Sequence, residues 1–314
     1  MKRVLKGVLV PITTPFDAES GEVAPVALRQ NARALLEAGA AGLVAAGSTG
    51  EAALLSEREF EQIVGWMRDV VPDDRWLVAG AGRESTRATI AACRAAAEAG
   101  ADAVLVRSPC YYAPVLSQND LVAHFRRIAD SSPVPVLLYN IPKYTRITFS
   151  ESLVAALADH ENIVGAKDSS GDLKLFAAYR EAAPAWAWLI GSGSRYYAGL
   201  ELGAAGGILA VACFAVSLAV SIGQAFEAGD KTKAGAAQEL LAPLSQEIAD
   251  KFGIPGIKAA MDLVGLIGGP VRAPLSELGE KERSRIAELL AAAGLLPAAG
   301  MARRGAVSSA GGGR

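Results

Sequence analysis

Between residues 7 and 212 the chain repeats one unit, a short apolar run followed by a longer stretch rich in Ala, Leu, Glu and Arg. The runs are Val8–Ile12, Gly42–Ala46, Trp76–Gly80, Ala103–Val106, Val134–Tyr139, Ile163–Lys167, Trp186–Ile190 and Gly207–Val211, eight in all. They recur at intervals of roughly 25 to 35 residues, the scale of a βαβ unit. None alternates apolar with polar residues, as expected of strands covered by helices on one face and by a packed interior on the other. Eight such units predict an α/β fold of the TIM (β/α)8 barrel type.

Helix signals fall between the runs. Ser56-Glu-Arg-Glu59 has the form of a capping box, and Ser85 and Ser150 are placed to cap the helices after the third and fifth strands. Beyond residue 213 the strand-like runs stop, and helical segments are expected near 214–227, 231–251, 255–266 and 276–294. The expected organisation is a barrel over 1–212 and a C-terminal helical extension over 213–296. Residues 297–314, rich in Gly, Ala and Ser, are expected to form a disordered tail.

Composition narrows the partners. With 51% apolar residues, 20% charged residues and a net charge of −2, the chain reads as a soluble globular protein without a polyanion-binding surface, so nucleic acid is not expected. The richest apolar stretch, Gly206 to Val220, is broken by glycines and serine, so no membrane span is expected. The N-terminal apolar segment is short and marked by prolines, unlike a signal peptide, and a cytoplasmic location is expected. Cys93, Cys110 and Cys213 are odd in number and widely spaced, which suggests reduced thiols rather than disulfides or a zinc site. Cys110 stands out because Tyr111 and Tyr112 follow it.

Barrels of this type assemble their active sites at the carboxyl ends of the strands. Two neighbouring runs end there in Tyr139 and Lys167. An amine attacking a carbonyl must be unprotonated, which burial at an apolar strand end favours, and an adjacent phenol can relay protons. Each residue has a plainer alternative, a lysine reaching solvent and a core tyrosine. Asp168 should face away from Lys167 if the strand continues. After the second run, Gly47-Ser-Thr-Gly-Glu51 offers the hydroxyls of Ser48 and Thr49 and backbone N–H groups, Gly50 included, to a small carboxylate. A glycine turn with a serine cap is the plainer reading. Tyr111 and Tyr112 form an aromatic loop expected to pack against the pocket or a partner subunit. His124 and His160, both expected in helices, have no companions at metal-ligand spacing, so no metal is expected. Gly191-Ser-Gly-Ser194 lies where many barrels bind phosphate but carries no Walker or dinucleotide fingerprint.

In order and spacing, Gly47-Ser-Thr-Gly-Glu51, Tyr139-Asn-Ile-Pro142 and Gly165-Ala-Lys-Asp168 match a known pattern. From about Gly7 to Leu296 the chain resembles the pyruvate-dependent class I aldolases and lyases. These include dihydrodipicolinate synthase, N-acetylneuraminate lyase and 4-hydroxy-2-oxoglutarate aldolase. The resemblance implies that Lys167 forms a Schiff base with pyruvate or a pyruvate-yielding 2-oxo acid while Tyr139 transfers protons. It implies that Ser48 and Thr49 hold the carboxylate and that Ser48 joins a hydroxyl relay with Tyr139 and with Tyr111 of a neighbouring subunit. Leu209 is implied as a backbone carbonyl near the imine. It further implies small-molecule substrates (pyruvate, 2-oxo acids and aldehydes), a homotetramer or homodimer, and no cofactor beyond the lysine.

Within the group, synthases usually carry an arginine two residues after the proline of the tyrosine motif, where this chain has Tyr144, with Lys143 and Arg146 nearby. The acidic pair of sialic acid lyases falls on Gly193 and Ser194. Phe252-Gly-Ile-Pro-Gly-Ile-Lys258 and Gly268-Gly-Pro-Val-Arg-Ala-Pro274 look most like 4-hydroxy-2-oxoglutarate aldolase. Cleavage of such a 2-oxo acid is therefore the expected reaction, with the dihydrodipicolinate synthase condensation as the alternative. A non-catalytic 2-oxo acid-binding regulatory homologue is a third reading, opposed by the presence of Lys167, Tyr139 and Ser48 together.

Overall fold

Short runs of Val, Leu, Ile and Ala that are buried along most of their length leave both faces of each strand needing apolar cover, and a closed barrel ringed by helices supplies it. A computed structural model describes residues 4–296, so the tail expected over 297–314 lies outside the described residues. The strands are β1 Gly7–Val10, β2 Gly42–Ala45, β3 Trp76–Gly80, β4 Ala103–Arg107, β5 Val136–Asn140, β6 Ile163–Asp168, β7 Ala187–Ile190 and β8 Gly206–Ile208. All pair in parallel, each with the next, and β8 closes on β1. The expected TIM barrel is the observed fold.

Neighbouring residues of one strand serve two cores. Leu9 joins Val44, Val78, Leu105, Leu137 and Ile208 inside the barrel, while Val8 and Val10 join the shell beneath the helices with Phe60, Phe125 and Trp188. Around the barrel run α1 Pro25–Glu37, α2 Glu57–Arg68, α3 Thr86–Glu98, α4 Gln118–Ser131, α5 Pro142–Thr145, α6 Glu151–Leu157, α7 Leu173–Ala182 and α8 Tyr196–Glu201. The caps fall as expected. Ser56 and Glu59 form a full capping box on α2, and the Ser85 and Ser150 hydroxyls accept from the third-position amides of α3 and α6. Four further helices follow, α9 Ala212–Glu227, α10 Lys231–Leu244, α11 Gly253–Leu263 and α12 Glu280–Ala292, with a π-helical turn at Ser245–Asp250 after α10.

Several boundaries shift by a few residues from the sequence reading, and three of the differences have a clear cause. The fifth strand starts at Val136 because Pro135 has no N–H to give the ladder. The eighth ends at Ile208, after which the Ala212 amide turns back onto the Leu209 carbonyl and opens α9. His160 is not helical, since α6 stops at Leu157 and the His160 carbonyl accepts from Ile163 as β6 begins.

Closure between β1 and β8 brings two backbones into close approach. A Cβ on Gly206 would lie 2.0 Å from the Gly7 carbonyl oxygen and 2.5 Å from its nitrogen, both backbone atoms that cannot swing away. Gly206→Ala is therefore expected to lower the unfolding free energy by about 3 kcal/mol or more, read by urea denaturation. Unchanged stability would mean that the barrel can close with a Cβ at this seam.

Candidate active site

The carboxyl ends of β5 and β6 bring the amine and the phenol together. Tyr139 and Lys167 are register partners, so both side chains leave the sheet on the same face. The Lys167 Nζ donates to the Tyr139 hydroxyl at 3.0 Å and lies 4.2 Å from the ring centroid. Both residues are buried, Lys167 at 6% exposure and Tyr139 at 5%. Among the described residues Lys167 has no carboxylate partner. Asp168 faces the other way, as expected. Its carboxylate accepts from the Asn140 amide at 2.7 Å and from the Ser170 hydroxyl at 2.7 Å. Burial raises its pKa, opposed by those hydrogen bonds.

The Gly47–Glu51 segment leaves β2 as a 3-10 turn over Ser48–Gly50. Ser48 and Thr49 line the same cavity as Tyr139 and Lys167, a hollow of ≈ 320 Å³. Gly50 is set behind them, its carbonyl accepting from the Thr14 hydroxyl at 2.7 Å. No hydrogen bond joins Ser48 to Tyr139 among the described residues. The turn is braced from below by Arg272, whose guanidinium takes both Glu59 oxygens at 2.6 and 3.0 Å and the Leu54 carbonyl at 2.9 Å. That guanidinium holds the Glu59 carboxyl well below the usual range, at about 2.

Other expected residues lie elsewhere. Leu209 is fully buried, its N–H given to the Leu9 carbonyl and its own carbonyl accepting from Ala212; the adjacent Ala210 forms the cavity wall. Tyr111 is 77% exposed on the loop after β4, packed edge-on against Tyr112 with ring centroids 5.0 Å apart, and does not reach the cavity within one chain. Its loop is fixed by Glu84, which accepts from the Cys110 and Tyr111 amides and from the Cys110 thiol. Burial and Glu84 raise the pKa of that thiol, and burial pushes Cys93 and Cys213 up to about 12, so none is poised as a nucleophile. His124 is held down at about 4 by burial, with Thr86 on its Nδ1. No group of three His, Cys, Asp or Glu side chains could hold a metal among the described residues.

Sequence reasoning missed much of the cavity wall. Ser169, Ser170, Ser192, Asp250, Gly253 and Ile257 contribute to it, the last three from the C-terminal extension. The signals were Gly191-Ser-Gly-Ser194, which holds Ser192, and the Phe252–Lys258 run, which marks its segment without saying where it packs. At the mouth, Lys143 and Tyr144 line the wall, and the Lys143 ammonium donates to the Asp250 carbonyl at 2.9 Å. Arg146 is exposed, sits in a left-handed backbone conformation and is not on the wall. A larger hollow of ≈ 700 Å³ opens at the opposite, amino-terminal end of the barrel beside Gly7, Ala41 and Trp76. The smaller one holds the paired amine and phenol, and chemistry rather than size identifies the site.

Comparison with known proteins agrees with this geometry. The model of the dihydrodipicolinate synthetase family matches residues 4–293. An uncharacterized DapA-like lyase of Halobacterium salinarum is 36% identical over 292 residues, covering 93% of this chain and 95% of that protein. A 4-hydroxy-tetrahydrodipicolinate synthase of Methanoculleus marisnigri is 35% identical over 291 residues, covering 91% and 99%. Among solved structures, the dihydrodipicolinate synthase of Acinetobacter baumannii complexed with pyruvate superposes with a TM-score of 0.89 at 31% identity, covering 93% of this chain and 100% of that one.

The Glu59–Arg272 brace has a pH signature. A carboxyl depressed from 4.5 to about 2 contributes stability above its unfolded value and loses it as pH falls through the folded one. The gap in Tm between the wild type and Arg272→Met should therefore narrow as pH is lowered from 4.5 towards 2 in thermal melts. A gap that stays constant would mean that the pair carries no linked stability.

Proposed function

The chain belongs to the dihydrodipicolinate synthetase family and is a pyruvate-dependent lyase of the Schiff-base class I type, and from that premise we propose which residues carry the reaction and on what. The observation that carries the assignment is the buried Lys167–Tyr139 contact at 3.0 Å. The Lys167 amine adds to C2 of pyruvate, and the carbinolamine oxygen leaves as water after protonation through Tyr139. Loss of a methyl proton gives the enamine, whose C3 forms a bond to an aldehyde carbon while the aldehyde oxygen takes up a proton. Water then hydrolyses the imine, frees the product and returns the amine. The reverse sequence cleaves a 4-hydroxy-2-oxo acid. Ser48 and Thr49 hold the pyruvate carboxylate, with the Gly50 backbone behind them. Tyr111 joins the proton relay only from a second copy of the chain, so a homodimer or homotetramer belongs to the proposal, as does the cytoplasm as its compartment. Leu209, off the cavity wall with its carbonyl bonded to the Ala212 amide, has no direct role in this proposal.

For the second substrate, relatives named 4-hydroxy-tetrahydrodipicolinate synthase favour condensation of pyruvate with aspartate semialdehyde. Lys143 at the mouth then binds the distal carboxylate, a point charge in place of the usual arginine. A second reading, cleavage of 4-hydroxy-2-oxoglutarate, is favoured by Tyr144 at the arginine position and by Arg146 lying off the wall.

Reduction with borohydride in the presence of pyruvate is expected to leave an adduct that peptide mass mapping places on Lys167 and that Lys167→Ala abolishes. An adduct persisting undiminished in that variant contradicts the assignment. Tyr139→Phe should lower kcat by about 100-fold or more, measured as pyruvate turnover. Consumption of pyruvate with aspartate semialdehyde should outpace pyruvate release from 4-hydroxy-2-oxoglutarate, and the opposite order selects the second reading.

A further inference from the structure

Glu51 ends the 3-10 turn that carries Ser48 and Thr49, and its backbone is left-handed, with φ of 60°. A non-glycine residue holds that conformation only where its surroundings fix it. Here they do. The side chain is 0% exposed and meets the Lys258 ammonium of α11 at 2.6 Å, with Lys258 itself 2% exposed. The second carboxylate oxygen accepts from the Arg272 backbone N–H at 2.9 Å. Lys258 also donates to the Pro270 carbonyl at 2.7 Å. The Phe16 ring lies near both cations, 4.6 Å from the Lys258 Nζ and 4.2 Å from the Arg272 guanidinium carbon. On the other side of the turn, the Thr14 hydroxyl anchors the Gly50 carbonyl.

A buried ion pair adds little to net stability, but breaking it leaves an uncompensated charge, so it fixes geometry strongly. None of these groups lines the cavity. They connect it to residues more than 200 positions away in sequence. We propose that Glu51, clamped by Lys258 and the Arg272 main chain, is a positioning residue that sets the Ser48–Gly50 turn for the pyruvate carboxylate. Lys258 and Arg272 of the C-terminal extension thereby govern pyruvate affinity without themselves lining the cavity. This rests on the reading that the turn binds that carboxylate.

The test titrates pyruvate in the borohydride reaction and reads both the half-saturating concentration and the trapped fraction at saturation, for wild type, Glu51→Gln, Lys258→Met, Lys258→Arg and Thr14→Val. Each folded variant should need about tenfold more pyruvate while reaching wild-type trapping at saturation, because the amine is intact. Thr14→Val disturbs neither charge and reports on the turn alone, while Lys258→Arg keeps the ion pair but alters its reach and carries the test of the clamp if the other charge variants do not fold. Wild-type trapping with half-saturation unchanged in the folded variants overturns the positioning role alone. No adduct in the wild type overturns the Schiff-base reading, and the positioning role with it.

Discussion

The site depends on the register between β5 and β6. Val136 pairs with Ile163, but Leu137 pairs with Gly165, so β6 carries one extra residue and the ladder is shifted by a bulge. Without that shift Tyr139 would stand beside Ala166. With it, Tyr139 stands beside Lys167 and Asn140 beside Asp168. Because side chains alternate across a strand, one step decides which residue enters the barrel mouth and which is turned outward. Gly165 permits the arrangement, since a Cβ there would lie 2.3 Å from the Ala187 carbonyl oxygen. The outward Asn140–Asp168 hydrogen bond then ties the two strand ends together behind Tyr139 and Lys167.

Two buried lysines show how environment separates roles. Lys258 meets a carboxylate at 2.6 Å and a backbone carbonyl, which makes it a fixed cationic strut. Lys167 meets a phenol instead. An amine without a carboxylate neighbour is not held as one half of an ion pair, and in the proposed reaction the hydroxyl beside it relays protons. Both are buried, and the partner distinguishes the paired strut from the amine proposed to react.

Much of this was legible in the sequence, for physical reasons. Strands covered on both faces write themselves as unbroken apolar runs, and Lys167 and Tyr139 stand at the ends of two of them, where a barrel collects its chemistry. The capping serines act within three residues and were equally plain. The misses are long-range or conformational. No local pattern announces the bulge between Val136 and Leu137, the left-handed Glu51, or the packing of Asp250, Gly253 and Ile257 against a cavity built by strands far earlier in the chain. Leu209 was read as part of a strand but lies in the turn that opens α9. The aldehyde partner is hardest to read, because it rests on Lys143, Tyr144 and Arg146, whose directions depend on the short helix at Pro142–Thr145 and the left-handed residue that ends it.

In the proposed reaction Lys167 converts pyruvate into an enamine, with Tyr139 moving the protons. Proton NMR of pyruvate in deuterium oxide tests it without any second substrate, since each enamine formed and reprotonated replaces a methyl hydrogen by deuterium. The wild-type protein is expected to erase the methyl signal, Tyr139→Phe to slow this strongly, and Lys167→Ala to leave it at the rate of protein-free solution. Exchange that continues at the wild-type rate in Lys167→Ala would contradict the proposed reaction.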